Sequence, residues 1–177
     1  MFEDDPAFAG GLDLNASVGV SLEEAVHGAE KRVRLPTGRE LNVKIPAGIA
    51  SGQSIRLKGQ GQEAPGRRPG DVLLTVTIAQ HQVFRIAGND LRADVPVTLY
   101  EAVLGAKVRV PTLDGAVELS IPKNTSSGRT FRLRGKGMPV KGKDAGDLFV
   151  TLKIALPDGN DADLEALMER WRDTKPY

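Results

Sequence analysis

The sequence predicts an all-β protein: two tandem, duplicated small β-sandwich or barrel domains, each with one short helix, followed by a C-terminal helix. Three observations carry that prediction. The chain repeats itself once. Most of each copy alternates apolar and polar residues with a period of two. One terminal segment switches to a helical period. The repeat is ordered. Asp13–Leu22 returns as Asp90–Leu99, an offset of 77. Ile45-Pro46 returns as Ile121-Pro122, Ser51-Gly52 as Ser127-Gly128, Ile55–Gly61 as Phe131–Gly137, and Gly70-Asp71 as Gly146-Asp147, all at 76. The expected divisions are a Gly-containing tail at 1–12, a first copy at 13–87, a second at 88–158 and a helical tail at 159–177.

Within the first copy, Leu14, Ala16, Val18 and Val20 alternate with Asn15, Ser17 and Gly19, as in a half-buried strand. Ser21-Leu22-Glu23-Glu24 then has the capping-box spacing of a helix start, and Gly28 stands where a short helix ends. Val33 and Leu35 alternate with Lys31, Arg32 and Arg34. Thr37-Gly38 marks a turn, after which Leu41, Val43 and Ile45 alternate again. Val72, Leu74, Val76 and Ile78 form a further strand pattern. The second copy repeats the cap as Thr98-Leu99-Tyr100-Glu101 and the stop as Gly105. In the tail, Asp163 is positioned to cap a helix whose Leu164, Leu167, Met168 and Trp171 fall on one stripe. That stripe either docks on the second domain or forms a dimer contact, with Trp171 as its anchor.

Composition narrows the chemistry. The 177 residues carry 24 Lys+Arg against 23 Asp+Glu, so total charge gives no support to general polyanion binding. Cys is 0 and His is 2, which excludes disulfides, thiolate metal sites and a Cys nucleophile built from this chain. No apolar run approaches a membrane span, and the acidic start Met1–Asp5 lacks the features of a signal peptide. The expectation is a soluble, cytoplasmic protein with no membrane partner, no metal and no cofactor. His27 and His81 lie far from any repeated carboxylate set and read as structural. Lys58–Gly61 and Arg134–Gly137 have glycines but not the spacing of a phosphate loop, so they read as strand-end turns. No catalytic motif is present, and the chain reads as a non-enzyme.

Two surfaces remain. Basic residues gather at Lys31–Arg34, Arg67-Arg68 and Arg129–Lys143. They form either a solvated face or a phosphate-binding patch. Aromatics are only 5%, which speaks against stacking on single strands. The apolar positions Val18, Val33 and Leu35 form either plain core or one open row. An open row would be a groove, and a strand edge beside it could take an extended peptide.

The ordered motifs Val20–Gly28, Val43–Gly48, Ile55–Gly61 and Gly70-Asp71-Val72 resemble the C-terminal substrate-binding region of DnaJ-family J-domain co-chaperones. Val97–Gly105 and Gly146–Val150 resemble the second C-terminal domain of that family. The likeness runs from about Asp13 to Trp171. It departs from the family in two ways. The J domain is absent, and Met1–Asp5 looks like the end of a Gly/Phe linker, so the sequence reads as a piece of a longer protein. The Cys-rich zinc module is absent as well, where Leu35–Arg39 makes a tight turn, so the chain is similar to the zinc-free class that includes curved-DNA-binding co-chaperones.

The resemblance implies a shallow client groove in the first domain, lined by Val18, Val33, Leu35 and Leu74, edged by Ala16 and rimmed by Lys31 and Arg34. Val33 stands where relatives often carry a bulkier residue. In the second domain Val108 and Val110 match, but the family places the main client site in the first. The resemblance also implies a homodimer formed through the terminal segment, here Leu164, Leu167, Met168 and Trp171. The expected function is to hold exposed apolar segments of unfolded or misfolded polypeptides for delivery to a DnaK-type heat-shock chaperone. The alternatives are DNA binding through the basic loops, with Lys141 and Lys143 prominent, or a dimerising spacer with no groove.

Overall fold

The computed structural model describes residues 12–175. The linker reading of residues 1–12 therefore lies, apart from Leu12, outside the described residues. The first copy folds as β1 (Leu14–Val20), α1 (Leu22–His27), β2 (Ala29–Arg34), β3 (Glu40–Ile45), β4 (Ser54–Leu57) and β5 (Val72–Ile78). After β6 (Phe84–Ala87), the second copy runs β7 (Asp90–Thr98), α2 (Leu99–Leu104), β8 (Ala106–Thr112), β9 (Gly115–Ile121), β10 (Thr130–Leu133) and β11 (Leu148–Ala155). Helix α3 (Ala162–Thr174) closes the described chain. The all-β prediction, with one short helix per copy and a terminal helix, holds.

Strands are ordered β1-β5-β4 in one sheet and β10-β11-β7-β6 in the other, with β2-β3 and β8-β9 as separate two-stranded ladders. β1 runs parallel to β5 in a register that sets Ala16 beside Leu74 and Val18 beside Val76. β4 is antiparallel on the other side of β5, with Ile55 opposite Leu74.

The duplication extends to individual hydrogen bonds. Asp71 Oδ1 accepts from Gly59 N at 2.8 Å, and Asp147 Oδ1 accepts from Gly135 N at 3.0 Å. Asp13 Oδ1 takes the N–H of Asp71 at 2.7 Å, and Asp90 Oδ1 takes that of Asp147 at 2.8 Å. Ser51 and Ser127 accept from Ile78 N and Ile154 N. Both predicted capping boxes form: Ser21 with Glu24, and Thr98 with Glu101. Gly28 and Gly105 end the two helices at φ 79° and 76°. A Cβ at either site would also sit 3.0 Å from the carbonyl of Ile45 or Ile121, so only glycine fits.

The copies differ at their hairpins. β8 and β9 join through two residues, with Thr112 paired to Gly115, whereas β2 and β3 stop at Arg34 and Glu40. The longer turn closes through Leu35 N donating to Arg39 O and Gly38 N to Leu35 O, each at 2.8 Å. This one-residue difference turns the offset from 77 to 76.

Two compact units result: residues up to Arg92 together with Arg134–Leu148, and Ala93–Leu133 together with the chain from Phe149. Within the first unit, Met138 N donates to Asn89 O, and Gly146 N to Met138 O. In α3 the cap is Asp161, whose side chain accepts from Leu164 N at 2.9 Å, rather than the expected Asp163. Asp163 lies inside the first turn, where its charge favours the positive end of the helix.

Candidate functional site

The apolar positions expected to form a groove come from β1, β2 and β5 of the first copy. Alternation along β1 points Ala16 and Val18 to the same face as the buried Val20. Both pack against a cluster containing Val20, Ala25, Val33, Val43, Ile45, Ile49, Leu74 and Val76. The structure thus brings Ala16, Val18, Val33 and Leu74 together. Val33 and Leu74 reach almost no solvent, at 5% and 0% exposure. Leu35, at 3%, is also buried, at the start of the hairpin turn and outside that cluster. Val33 and Leu74 thus lie beneath the partly open residues, and none of the three is open lining. The partly accessible apolar residues packed on the cluster are Ala16 and Val18, joined by Leu41, Ile55, Leu57 and Ile78. The sequence reading passed over Leu41 and Ile55. Their signal is register: Leu41 stands opposite Val33, and Ile55 opposite Leu74.

Of the two residues expected at a rim, Lys31 is held in place by the fold. Lys31 Nζ lies 2.7 Å from Glu24 Oε1, and the other carboxylate oxygen accepts from Ser21 N at 2.9 Å. The Lys31 ammonium and the Ser21 N–H hold the Glu24 carboxyl below the usual carboxylate range. Lys31 therefore links β2 to the cap of α1. Arg34 is exposed at the end of β2.

The second copy closes part of the corresponding face: Val117 and Phe131, the counterparts of Leu41 and Ile55, stay partly accessible, while the first-strand positions do not. Ala93 and Val95 correspond to Ala16 and Val18, and both are buried, as are Val108, Val110 and Val150. Strand order accounts for part of the contrast. β1 lies at the edge of its sheet, whereas β7 is flanked by β6 along its first residues, up to Ala93, which leaves the burial of Val95 without an account from strand order.

The terminal helix buries none of its residues. Leu164 and Leu167 are half-buried, while Met168 and Trp171 remain 38% and 37% exposed. Trp171 is steadied by Lys175, whose ammonium lies 5.5 Å from the ring centroid. The segment Arg129–Lys143 holds six cations and no acid, and Lys141 and Lys143 are exposed.

His81 holds a turn. Its Nδ1 accepts from Val83 N at 3.0 Å and Phe84 N at 3.1 Å, while Nε2 lies 2.8 Å from Glu23 Oε1. Glu23 is in turn held below its ordinary value, first by a backbone hydrogen bond and then by His81. A pocket of ≈ 630 Å³ opens beside this turn, with Leu22, Ile78, Val83, Phe84 and Ile86 in its wall. Among the described residues, no three His, Asp or Glu side chains gather as a metal site, and no helix is long and apolar enough to cross a membrane.

Comparison with known proteins bears on this arrangement. The family model described as the DnaJ C terminal domain matches residues 14–157. The chain is 39% identical over 181 residues to a "Curved DNA-binding protein" of Coxiella burnetii, covering 94% of this chain and 57% of that protein. It is 42% identical over 160 residues to "Chaperone protein DnaJ 2" of Thermus thermophilus, covering 90% and 56%. A "Curved DNA-binding protein" of Escherichia coli is 41% identical, with 94% and 59% covered. The chain thus spans less than two thirds of each of these relatives.

Proposed function

The chain belongs to the DnaJ C-terminal domain family of chaperones and co-chaperones, and on that premise we propose that its first copy binds exposed apolar segments of unfolded polypeptides, for delivery to a DnaK-type chaperone in the cytoplasm. The observation that carries this reading is the contrast along equivalent strands. Ala16 and Val18 stay partly open over a floor of Val33 and Leu74, while Ala93 and Val95 are closed off. Client side chains bury themselves on that strip, which Lys31 borders, while Arg34 falls on the exposed face of β2 opposite Val33. No covalent step is involved. Burying one large apolar side chain is worth roughly 1.5–3 kcal/mol before the costs of association, so a single site binds weakly and releases fast. Pairing two copies through Leu164, Leu167, Met168 and Trp171 doubles the sites and raises avidity.

The test is fluorescence anisotropy of a labelled, unfolded apolar peptide at moderate and high salt. Binding is expected to persist at high salt and to fall by about tenfold or more in Val18→Glu, which sets a charge on the open strip. A folded Val18→Glu protein that binds like the parent overturns the assignment. A second reading rests on the acid-free segment Arg129–Lys143 and on two relatives being curved DNA-binding proteins by name: contact with DNA phosphates. That binding falls steeply with salt and is lost in Lys141→Glu/Lys143→Glu.

A further inference from the structure

We propose that His81 is a proton-operated latch. As a neutral imidazole it closes the turn between β5 and β6 over α1; on taking a proton it releases Val83 and Phe84 and opens the apolar pocket they wall. The hydrogen bonds fix the tautomer. Nδ1 accepts from Val83 N at 3.0 Å and from Phe84 N at 3.1 Å, so it carries no proton. The ring proton therefore sits on Nε2 and is donated to Glu23 Oε1 at 2.8 Å. One neutral ring thus ties the start of β6 to the first turn of α1. A protonated ring has no acceptor left. The two backbone N–H groups then face an N–H of the ring and both bonds are lost, while the link to Glu23 becomes an ion pair. The proton exchanges a hold on β6 for a stronger hold on α1.

The surroundings let the ring alone switch. The titratable or charged groups lining this corner are Glu23 on α1, Arg85 on β6 and His81 itself; Ser21, Ser51, Gln80 and Gln82 are uncharged. Glu24, the next acid on α1, is paired with Lys31 instead. The Glu23 carboxyl is held below its ordinary value, first by a backbone hydrogen bond and then by His81, so it stays charged across the range of about pH 5–8 in which imidazoles titrate. Arg85 keeps its charge across the same range.

What the latch covers is apolar. Leu22, Ile78, Val83, Phe84 and Ile86 wall a pocket of ≈ 630 Å³ beside it. Phe84 packs on the latching ring, with centroids 5.1 Å apart, and Leu22 is buried. The second copy shows the same helix start without a latch. Tyr100 stands at the Glu23 position and Pro157 at the His81 position, so neither partner is present. There Leu99, the counterpart of Leu22, is only half-buried, and Leu156, the counterpart of Gln80, is 72% exposed. One duplicate covers this corner through a titratable bond; the other leaves it uncovered at any pH.

The test follows the parent protein from about pH 8 to about pH 5, the range in which imidazoles titrate. Nitrogen NMR reads the His81 ring, and hydrogen exchange, corrected for its intrinsic pH dependence, reads the amides of Val83 and Phe84. The expected result is a bare Nδ1 at the upper end and protection that falls by roughly tenfold at both amides with the midpoint of the ring, the scale of one or two lost hydrogen bonds. Fluorescence of the apolar dye anilinonaphthalene sulfonate is expected to rise with that same midpoint. His81→Asn is the variant that stays closed: its side-chain oxygen accepts from the N–H groups two and three residues on, as in an Asx turn, and does not titrate. It is expected to keep both amides protected and to take up no extra dye. Amides that hold their protection while the ring titrates, dye uptake that ignores the ring's midpoint, or the same transition in His81→Asn overturns the latch. So does a loss of far-ultraviolet dichroism at that midpoint, which marks global unfolding instead. Should His81→Asn fail to fold, the common midpoint of ring, amides and dye in the parent decides alone.

Discussion

Replacing Leu74 with alanine separates floor from lining. Leu74 lies in the central strand of its sheet, with Ala16 on one side and Ile55 on the other, and it is fully shielded from solvent. The change deletes three carbons, a transfer loss of about 2.4 kcal/mol at roughly 0.8 kcal/mol per methylene. The neighbouring strands hold their positions by backbone bonds, so the space does not collapse fully, and the cavity left raises the total to about 3–4 kcal/mol. For a unit of this size that lowers the thermal midpoint by roughly 12–32 °C, since each kcal/mol is worth about 4–8 °C in a domain of about a hundred residues. Circular dichroism during heating measures the shift. Peptide anisotropy well below the midpoint measures the function, which the floor reading expects to fall little. A stability loss under about 1 kcal/mol, accompanied by lost binding in the folded protein, would refute the packing argument and make Leu74 an open contact.

Two further outcomes follow from the hydrogen-bond frame. Ser21→Ala and Thr98→Ala each remove a helix cap that occurs once per copy, so each costs about 1 kcal/mol in urea denaturation, and the costs add in the double variant. The Asp71 carboxyl is held below its ordinary value by the Gly59 N–H and then by Arg56, so its contribution is complete above the unfolded carboxylate value and is lost as pH falls through the depressed folded one. The urea midpoint of the parent should therefore drop on acidification more steeply than that of Asp71→Asn; parallel curves would show that Asp71 contributes nothing to acid sensitivity.

The repeat, the strands and both capping boxes were legible because each is a local pattern. Ser21 and Glu24 are three residues apart, and their bond needs no tertiary partner. The candidate face was legible only as a set of residues. Alternation says that Val18 and Val33 share the period of a half-buried strand, but it does not say which row meets solvent. That outcome depends on tertiary packing: Val18 stays partly open, while Val33, opposite Leu41 in the hairpin, is covered. Leu35 misled for a related reason. It continues the alternation of β2, yet β2 ends at Arg34 and Leu35 turns inward to close the hairpin through Arg39. The cap of α3 was misplaced by two residues because Asp161 and Asp163 are chemically equivalent candidates and only the chain direction before the helix separates them.

The two copies share a hydrogen-bond frame almost atom for atom, so the frame alone cannot assign a function to either. What differs is the treatment of the first strand. A parallel edge strand with three unpaired backbone positions is an aggregation hazard unless it is short, covered or in use. In the second copy β6 covers the edge of β7 up to Ala93, and Pro96 takes one further donor out of play. In the first copy none of these devices is found along β1 among the described residues, and Gly19 stands where Pro96 would block an incoming strand. The residues between Asp13 and Ser21 that could carry a shielding charge or proline are Asn15, Ser17 and Gly19, none of which does either. The duplicated first strands therefore differ in how their edges are protected: β7 has β6 and Pro96, and β1 has neither among the described residues.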